Sequence, residues 1–239
     1  MGIALPRILK KWDDSAVTNV FAVSQEEFEK EDSYLVSLTK KGFIKRTPLA
    51  LYQSVRANGL NALTLQEGDT LGWVQMSTDD DAIILASKFG QMMRFNLATL
   101  RPQGRVSRGV HAMKLADGDT IAGMDIIPRK GSSKASLLVV TSLGQAKRVP
   151  LTSYKAQARN GAGVKGVKLK AQDDVAAIRV VDEATVERGD VLIATLSGNI
   201  NRVALSKVQS YGRAAVGSRL ISLDHDTNDR VQSIAIIEE

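Results

Sequence analysis

The chain has no cysteine and only two histidines, His111 and His225. Disulfides, thiolate nucleophiles and the usual zinc constellations are thereby excluded, and nothing calls for an oxidising compartment. No apolar run approaches the roughly 18 residues that a membrane-spanning helix requires. The start of the chain lacks the charged-then-apolar pattern of a secretory signal. A soluble, intracellular chain is expected. Five prolines and little helical periodicity agree with an all-β fold. No nucleophile–base pair or phosphate-binding loop stands out, so an independent enzyme has little support.

What the sequence does have is repetition. A glycine followed four positions later by an arginine occurs as Gly42–Arg46, Gly90–Arg94, Gly144–Arg148 and Gly198–Arg202. Seven residues past each glycine stands a leucine: Leu49, Leu97, Leu151 and Leu205. A second glycine follows (Gly59, Gly109, Gly163, Gly217), then another leucine (Leu65, Leu115, Leu169, Leu223). A period of roughly 50 residues is that of a propeller-type array. Its 239 residues, 44% hydrophobic, suffice for such a core.

Within one period the pattern reads strand, glycine turn, strand, basic loop, short strand and a closing strand. In the third period these are Leu137–Thr141, a turn at Gly144, Ala146–Leu151, Tyr154–Gly163, Val164–Leu169 and Val175–Val181. The closing strand recurs from Leu71, Ile121 and Val231, and a fifth copy lies upstream at Val17–Val23. The expected division is 5–31 for a closing strand and linker of a partial repeat, then repeats 32–78, 79–130, 131–185 and 186–239. The N-terminal strand either completes the last blade or belongs to a longer array cut short; the latter is preferred. The acidic run Glu26–Asp32 reads as a linker between blades with a brief helix.

Net charge is +6, from 32 Lys+Arg against 26 Asp+Glu, with a pI near 9.5. This balance suits an acidic partner such as nucleic acid or an anionic membrane surface. The four repeated arginines could form a row of cations for phosphate, since guanidinium stays charged and binds oxygens bidentately. They could equally be structural, pairing with Asp69, Asp119, Asp173 and Asp229 before the closing strands. Strand parity does not place their face, because Leu49 and its equivalents stand out of phase; a bulge or sharp twist is expected between them. Asp79–Asp81 and the run Asp224–Asp226 read as turn residues rather than metal ligands. Trp12 and Trp73 are expected in the core, and Tyr52, Tyr154 and Tyr211 in repeat packing.

The run Ser33–Leu49 (SYLVSLTKKGFIKRTPL) resembles the repeat opening of the C-terminal domain of the DNA gyrase A family, which includes the corresponding protein of topoisomerase IV. Arg101–Val110, Gly161–Leu169 and Tyr211–Gly217 resemble later repeats of that family. The resemblance implies a β-pinwheel, a propeller whose blades exchange strands, with double-stranded DNA wrapped around a basic rim. It also implies, as partners, a breakage–reunion core and an ATPase subunit, no cofactor in this domain, and a place in the cytoplasm with the nucleoid or in an organelle of bacterial origin. The family's Gln-Arg-Arg-Gly-Gly-Arg-Gly box is absent; Gln157–Gly163 keeps part of it. Expected DNA contacts are Arg46, Arg94, Arg148 and Arg202, with Lys45, Arg56, Arg101, Arg105, Arg108, Lys147, Lys155, Arg159, Lys165, Arg213 and Arg219 around them. The competing reading is a propeller-like platform whose basic surface takes an acidic protein.

Overall fold

The computed structural model describes residues 17–54, 59–130, 132–223 and 228–238. Each repeat supplies a hairpin and a longer strand. The hairpins are β1 (Tyr34–Thr39) with β2 (Phe43–Pro48), β4 (Ala82–Ser87) with β5 (Gln91–Asn96), β8 (Ser136–Thr141) with β9 (Gln145–Pro150), and β12 (Gly189–Thr195) with β13 (Ile200–Ala204). The longer strands are β3 (Leu71–Ser77), β7 (Ile121–Ile127), β11 (Val175–Val181) and β15 (Val231–Glu238). Two-residue strands β6 (Val110–His111), β10 (Val164–Lys165) and β14 (Ser218–Arg219) complete the set.

These short strands do not join their own repeats. The sheet orders are β3-β1-β2-β6, β10-β5-β4-β7, β11-β8-β9-β14 and β13-β12-β15. Each of the first three blades thus takes its outermost strand from the following repeat, and the last blade has three strands among the described residues. The longer strands form the inner edge, around a cavity of about 420 Å³ lined in part by Trp73, Ile121, Ile178 and Ile234.

The first strands β1, β4 and β8 are mostly apolar and almost wholly buried because both their faces are covered, as in a buried parallel strand, whereas burial alternates along β12. All six residues of β4 are buried, and alternate ones feed different cores. Ile83 and Leu85 pack with Val36, Leu38 and Ile44 of the preceding blade, whereas Ile84 and Ala86 pack with Leu137 and Val139 of the next. Leu138 and Val140 then meet Val191 and Ile193. Burying each such side chain contributes about 1.5–3 kcal/mol. The cores lie between blades, so a lone blade would leave one face of each strand bare.

An aspartate ties the hairpin turn to the inner strand in every repeat. Oδ1 of Asp69, Asp119, Asp173 and Asp229 accepts the turn amides of Lys41, Phe89, Leu143 and Ser197 at 2.9–3.0 Å. The same oxygens accept the next amide of their own chain. These carboxylates therefore serve backbone amides rather than the repeated arginines.

The hairpin ladders are regular, the first running from Tyr34↔Pro48 to Leu38↔Ile44. The phase break before Leu49 is not a bulge in that ladder: β2 ends at Pro48 and a 3-10 turn begins at Leu49. Bulges occur instead between hairpin and inner strand, as at Leu38/Thr39. Val17–Val23 carries no strand, with Val20 and Phe21 exposed beside Trp73 and Val74. The brief acidic helix is present as α1 (Gln25–Glu29), capped by Ser24 and Glu27; α2 (Glu183–Arg188) follows the third blade. Trp12 and the run Asp224–Asp226 lie outside the described residues.

Handing a strand across requires the donor backbone to approach its acceptor closely. Gly109 has φ +91°, and a Cβ there would lie 2.4 Å from the Ile44 carbonyl oxygen. Gly109→Ala is expected to lower unfolding stability by about 2 kcal/mol or more, through strain and clash together. Gly104→Ala, with open space around it, should change stability by less than about 0.5 kcal/mol. Denaturant unfolding of the two variants checks this.

Candidate nucleic-acid interface

The fourth strands lie at the edge of each blade farthest from the cavity, and the loops leading to them carry much of the chain's positive charge. Two sets of basic residues recur there. The second residue of each exchanged strand is exposed: His111, Lys165 and Arg219. Four residues before each donor glycine stands an arginine, at Arg105, Arg159 and Arg213, all half-buried. Arg101, Arg108 and Lys155 are exposed on the same loops. Lys114 and Lys168, five residues past the donor glycine, are exposed as well. Sequence reasoning passed over these two, although their equal offset from Gly109 and Gly163 marked them.

Local packing orients part of this rim. The His111 ring lies 4.3 Å from the Phe43 ring, and the Arg108 guanidinium stands over Phe43 at 5.1 Å. Arg159 donates to the His111 carbonyl at 2.9 Å. These rim cations are therefore anchored across neighbouring repeats rather than splayed into water.

The four repeated arginines sit differently from an open row. Arg46 is buried, ion-paired to Asp79 at 2.7 Å and stacked over the Tyr34 ring at 4.2 Å. Arg94 donates to the carbonyls of Leu151 (3.3 Å) and Tyr154 (3.4 Å) in the next repeat. Arg148 reaches the Val208 carbonyl at 2.8 Å, again one repeat on. Arg202 is exposed and pairs with Asp190. Three of the four are thus buried or half-buried and have guanidinium hydrogen bonds inside the protein, two of them to the 3-10 turn of the adjoining repeat.

Lys45 and Lys147 correct the expectation more sharply. Both are fully buried. Lys147 Nζ donates to the carbonyls of Gly212 (3.1 Å), Arg213 and Ala215 (2.9 Å). Lys45 Nζ donates to Ala62, Gly104 (3.3 Å) and Arg105. Each ammonium gathers carbonyls of an incoming donor loop, Lys45 also taking that of Ala62 in its own repeat, which satisfies groups that burial would otherwise leave unpaired. Neither is accessible to a phosphate in this structure. Arg56 lies outside the described residues.

The remaining candidates are structural. Tyr154 is core, Tyr52 half-buried and Tyr211 partly exposed. Asp80 pairs with Arg129 and Asp81 accepts the Thr78 amide, as turn residues do. Among the described residues no cluster of three metal-ligating side chains occurs, and no helix is long and apolar enough to cross a membrane.

Burial pulls the amines of Lys45 and Lys147 down to about 8, below the value of about 10.4 for an unfolded lysine. Between those values the unfolded chain binds more protons, so stability rises with pH across that window and falls back as pH drops through about 8. Unfolding free energy should therefore increase from about pH 7.5 to about pH 9.5. Lys45→Met with Lys147→Met should flatten that rise, since Met93 holds the equivalent buried place in the second blade.

Comparison with known proteins agrees with this architecture. The family model described as DNA gyrase C-terminal domain, beta-propeller, matches four times, at residues 33–74, 81–128, 135–182 and 189–238. The DNA gyrase A protein of Synechocystis sp. is 33% identical over 267 residues, covering 99% of this chain and 30% of the relative. A probable chloroplastic/mitochondrial DNA gyrase A protein from Oryza sativa subsp. japonica is 34% identical over 252 residues, covering 99% of this chain and 26% of the relative. The chain thus spans less than a third of these relatives' lengths. Among solved structures, the C-terminal domain of DNA topoisomerase IV superposes with a TM-score of 0.86 at 23% identity, covering 99% of this chain and 71% of that one. The DNA gyrase A C-terminal domain gives 0.74 at 24% identity, covering 86% and 66%. With four family matches falling on the four blades, the chain belongs to the DNA gyrase C-terminal domain, beta-propeller, family, in its strand-exchanged pinwheel form.

Proposed function

We propose that the chain is a non-catalytic module that binds and bends double-stranded DNA within a type II topoisomerase, contacting the phosphate backbone with little sequence preference. The observation that carries this is the recurrence of exposed or half-exposed cations at equivalent places along the outer blade edges. The proposed contacts are Arg101, Arg105, Arg108, Lys155, Arg159, Lys165, Arg213 and Arg219, with Lys114 and Lys168 beside them. The gyrase relatives support a place in a type II topoisomerase; partnership with a breakage–reunion core and an ATPase subunit is part of the same proposal.

Duplex DNA carries one phosphate charge per about 1.7 Å of axis, so many modest contacts spread over successive blades suit it better than one deep site. A rigid array of cations rewards DNA that curves to meet it, and any sequence preference then comes from how easily the duplex bends. Contacts to phosphate set position and carry no base information. Arg46, Arg94 and Arg148 hold neighbouring repeats in register in this scheme, and so set the spacing of the exposed cations.

Binding to linear duplex across a salt series tests the assignment. The log-affinity slope should be steep, and Lys165→Gln with Arg219→Gln should reduce it by about 0.9 for each phosphate no longer neutralised. Arg46→Ala with Arg148→Ala should lower thermal stability while leaving the slope of the folded protein unchanged. Salt-insensitive binding by the parent, or salt-sensitive binding only to acidic peptides, would overturn the reading in favour of a protein-binding platform.

A further inference from the structure

The exchanged strands of the first three blades carry a basic residue at the same register position. His111 stands opposite Phe43, Lys165 opposite Gln91 and Arg219 opposite Gln145, in each case the first residue of the accepting strand. All three are exposed, while the residue before each is half-buried. Pairing to the hairpin fixes which way they point, because side chains alternate across a strand. Lysine and arginine hold their charge at this place at any physiological pH. Histidine does not: an imidazole gains its charge between about pH 8 and pH 5. The first blade therefore has a rim position whose charge follows the proton concentration.

That imidazole is held in place. Its ring lies 4.3 Å from the Phe43 ring, tilted by 40°, and the Arg108 guanidinium stands over the same Phe43 ring at 5.1 Å. The backbone is clamped on two sides. The amide of Ala112 donates to the Gly42 carbonyl at 2.8 Å, and Arg159 donates to the His111 carbonyl at 2.9 Å. The amide of Asn160 donates to the Ala112 carbonyl at 2.7 Å. Three pieces of chain thus meet at His111: β2, its own donor loop and the donor loop of the next repeat.

The charged groups on these pieces are basic. Arg108 and Arg159 lie nearest in contact, with Lys114 three residues on. Lys45 and Arg46 of β2 are turned inward, to loop carbonyls and to Asp79. Residues 101–114 and 154–163 contain no Asp or Glu, so neither donor loop supplies a carboxylate for an imidazolium. A phosphate arriving at the rim does supply a counter-charge. Whatever the imidazolium contributes to holding that phosphate, the phosphate contributes equally to holding the proton.

We propose that His111 is a proton-gated phosphate contact of the rim, so that duplex DNA is held more tightly as pH falls and binding takes up a proton. This rests on the reading of the rim as a DNA surface and adds one contact to it. The contact shares the strand position of Lys165 and Arg219 but forms only when the imidazole is protonated.

The test is binding to linear duplex across a salt series, at about pH 6 and at about pH 7.5. The parent's log-affinity slope should be steeper at the lower pH by up to about 0.9, for one more phosphate neutralised. His111→Lys should show the steeper slope at both pH values, and His111→Gln the shallower one at both. His225→Gln, which removes the other histidine, should keep the parent's pH dependence. The buried amines of Lys45 and Lys147 are the same in all four proteins, so their titration cancels from the comparison. Calorimetry at about pH 6.5 in two buffers of different ionisation heat should record proton uptake by the parent that is lost in His111→Gln. A parent slope that is steep but equal at both pH values overturns this inference alone. So does a pH dependence that survives in His111→Gln or disappears in His225→Gln. Binding without salt sensitivity at either pH overturns the DNA reading and this inference with it. Circular dichroism at both pH values confirms that the variants are folded.

Discussion

Everything in this molecule depends on a two-residue strand placed on a neighbour's hairpin. A three-stranded blade exposes a row of unpaired amides and carbonyls along its second strand, and the exchanged strand closes that edge. The approach is so close that only glycine fits at the crossing: at Gly163 a Cβ would lie 2.6 Å from the Met92 carbonyl oxygen, and at Gly217 2.5 Å from that of Ala146. The exchange also carries the rest of the next repeat into position. Its loop carbonyls are gathered by Lys45 and Lys147, and its 3-10 turn by Arg94 and Arg148. Stability therefore resides between repeats, as in a one-dimensional array with strong nearest-neighbour terms.

The same exchange divides the cations into two populations. On the accepting hairpins Lys45, Lys147, Arg94 and Arg148 are turned inward and answer backbone carbonyls, and Arg46 answers the Asp79 carboxylate. Those on the donated strand and loop are turned outward because that element is the last layer of the blade. Lys45 and Lys165 are both lysines in basic, glycine-bearing contexts, yet one is fully buried and the other exposed. On the donated elements Arg101, Arg108, Lys155, Lys165 and Arg219 are exposed, while Arg105, Arg159 and Arg213 are half-buried. The Asp69, Asp119, Asp173 and Asp229 series sits at the opposite end of the blade's logic, fixing the hairpin turn to the inner strand.

Much of the fold was legible in the sequence. Paired glycines, apolar runs and the V-x-x-I closing strand put hairpins and inner strands in place almost to the residue, because turn chemistry and two-sided burial are local signals. Two things were not legible from pattern. A two-residue strand such as Val164–Lys165 has no periodicity of its own, so which hairpin it joins is decided by long-range packing; strand exchange entered only through family resemblance. The burial of Lys45 and Lys147 is likewise a tertiary fact. A lysine beside an arginine after a glycine turn reads as surface charge, and only the carbonyls delivered by the next repeat explain why it is inside. Met93 and Asn201 at the equivalent positions were the available hint, since an exposed phosphate-binding place has little reason to accept methionine.

Native-state hydrogen exchange at the amides of Ala112, Gly166 and Leu220 addresses the exchanged strand most directly. Each donates to the turn carbonyl of the preceding repeat at 2.8 Å. If those strands hold the array together, the three amides open only with global unfolding, with protection matching that of the central-strand amide of Leu85. If they exchange through local opening, with protection far below that of Leu85, the exchanged strands are decoration on blades that stand by inter-blade cores alone, and the account is wrong.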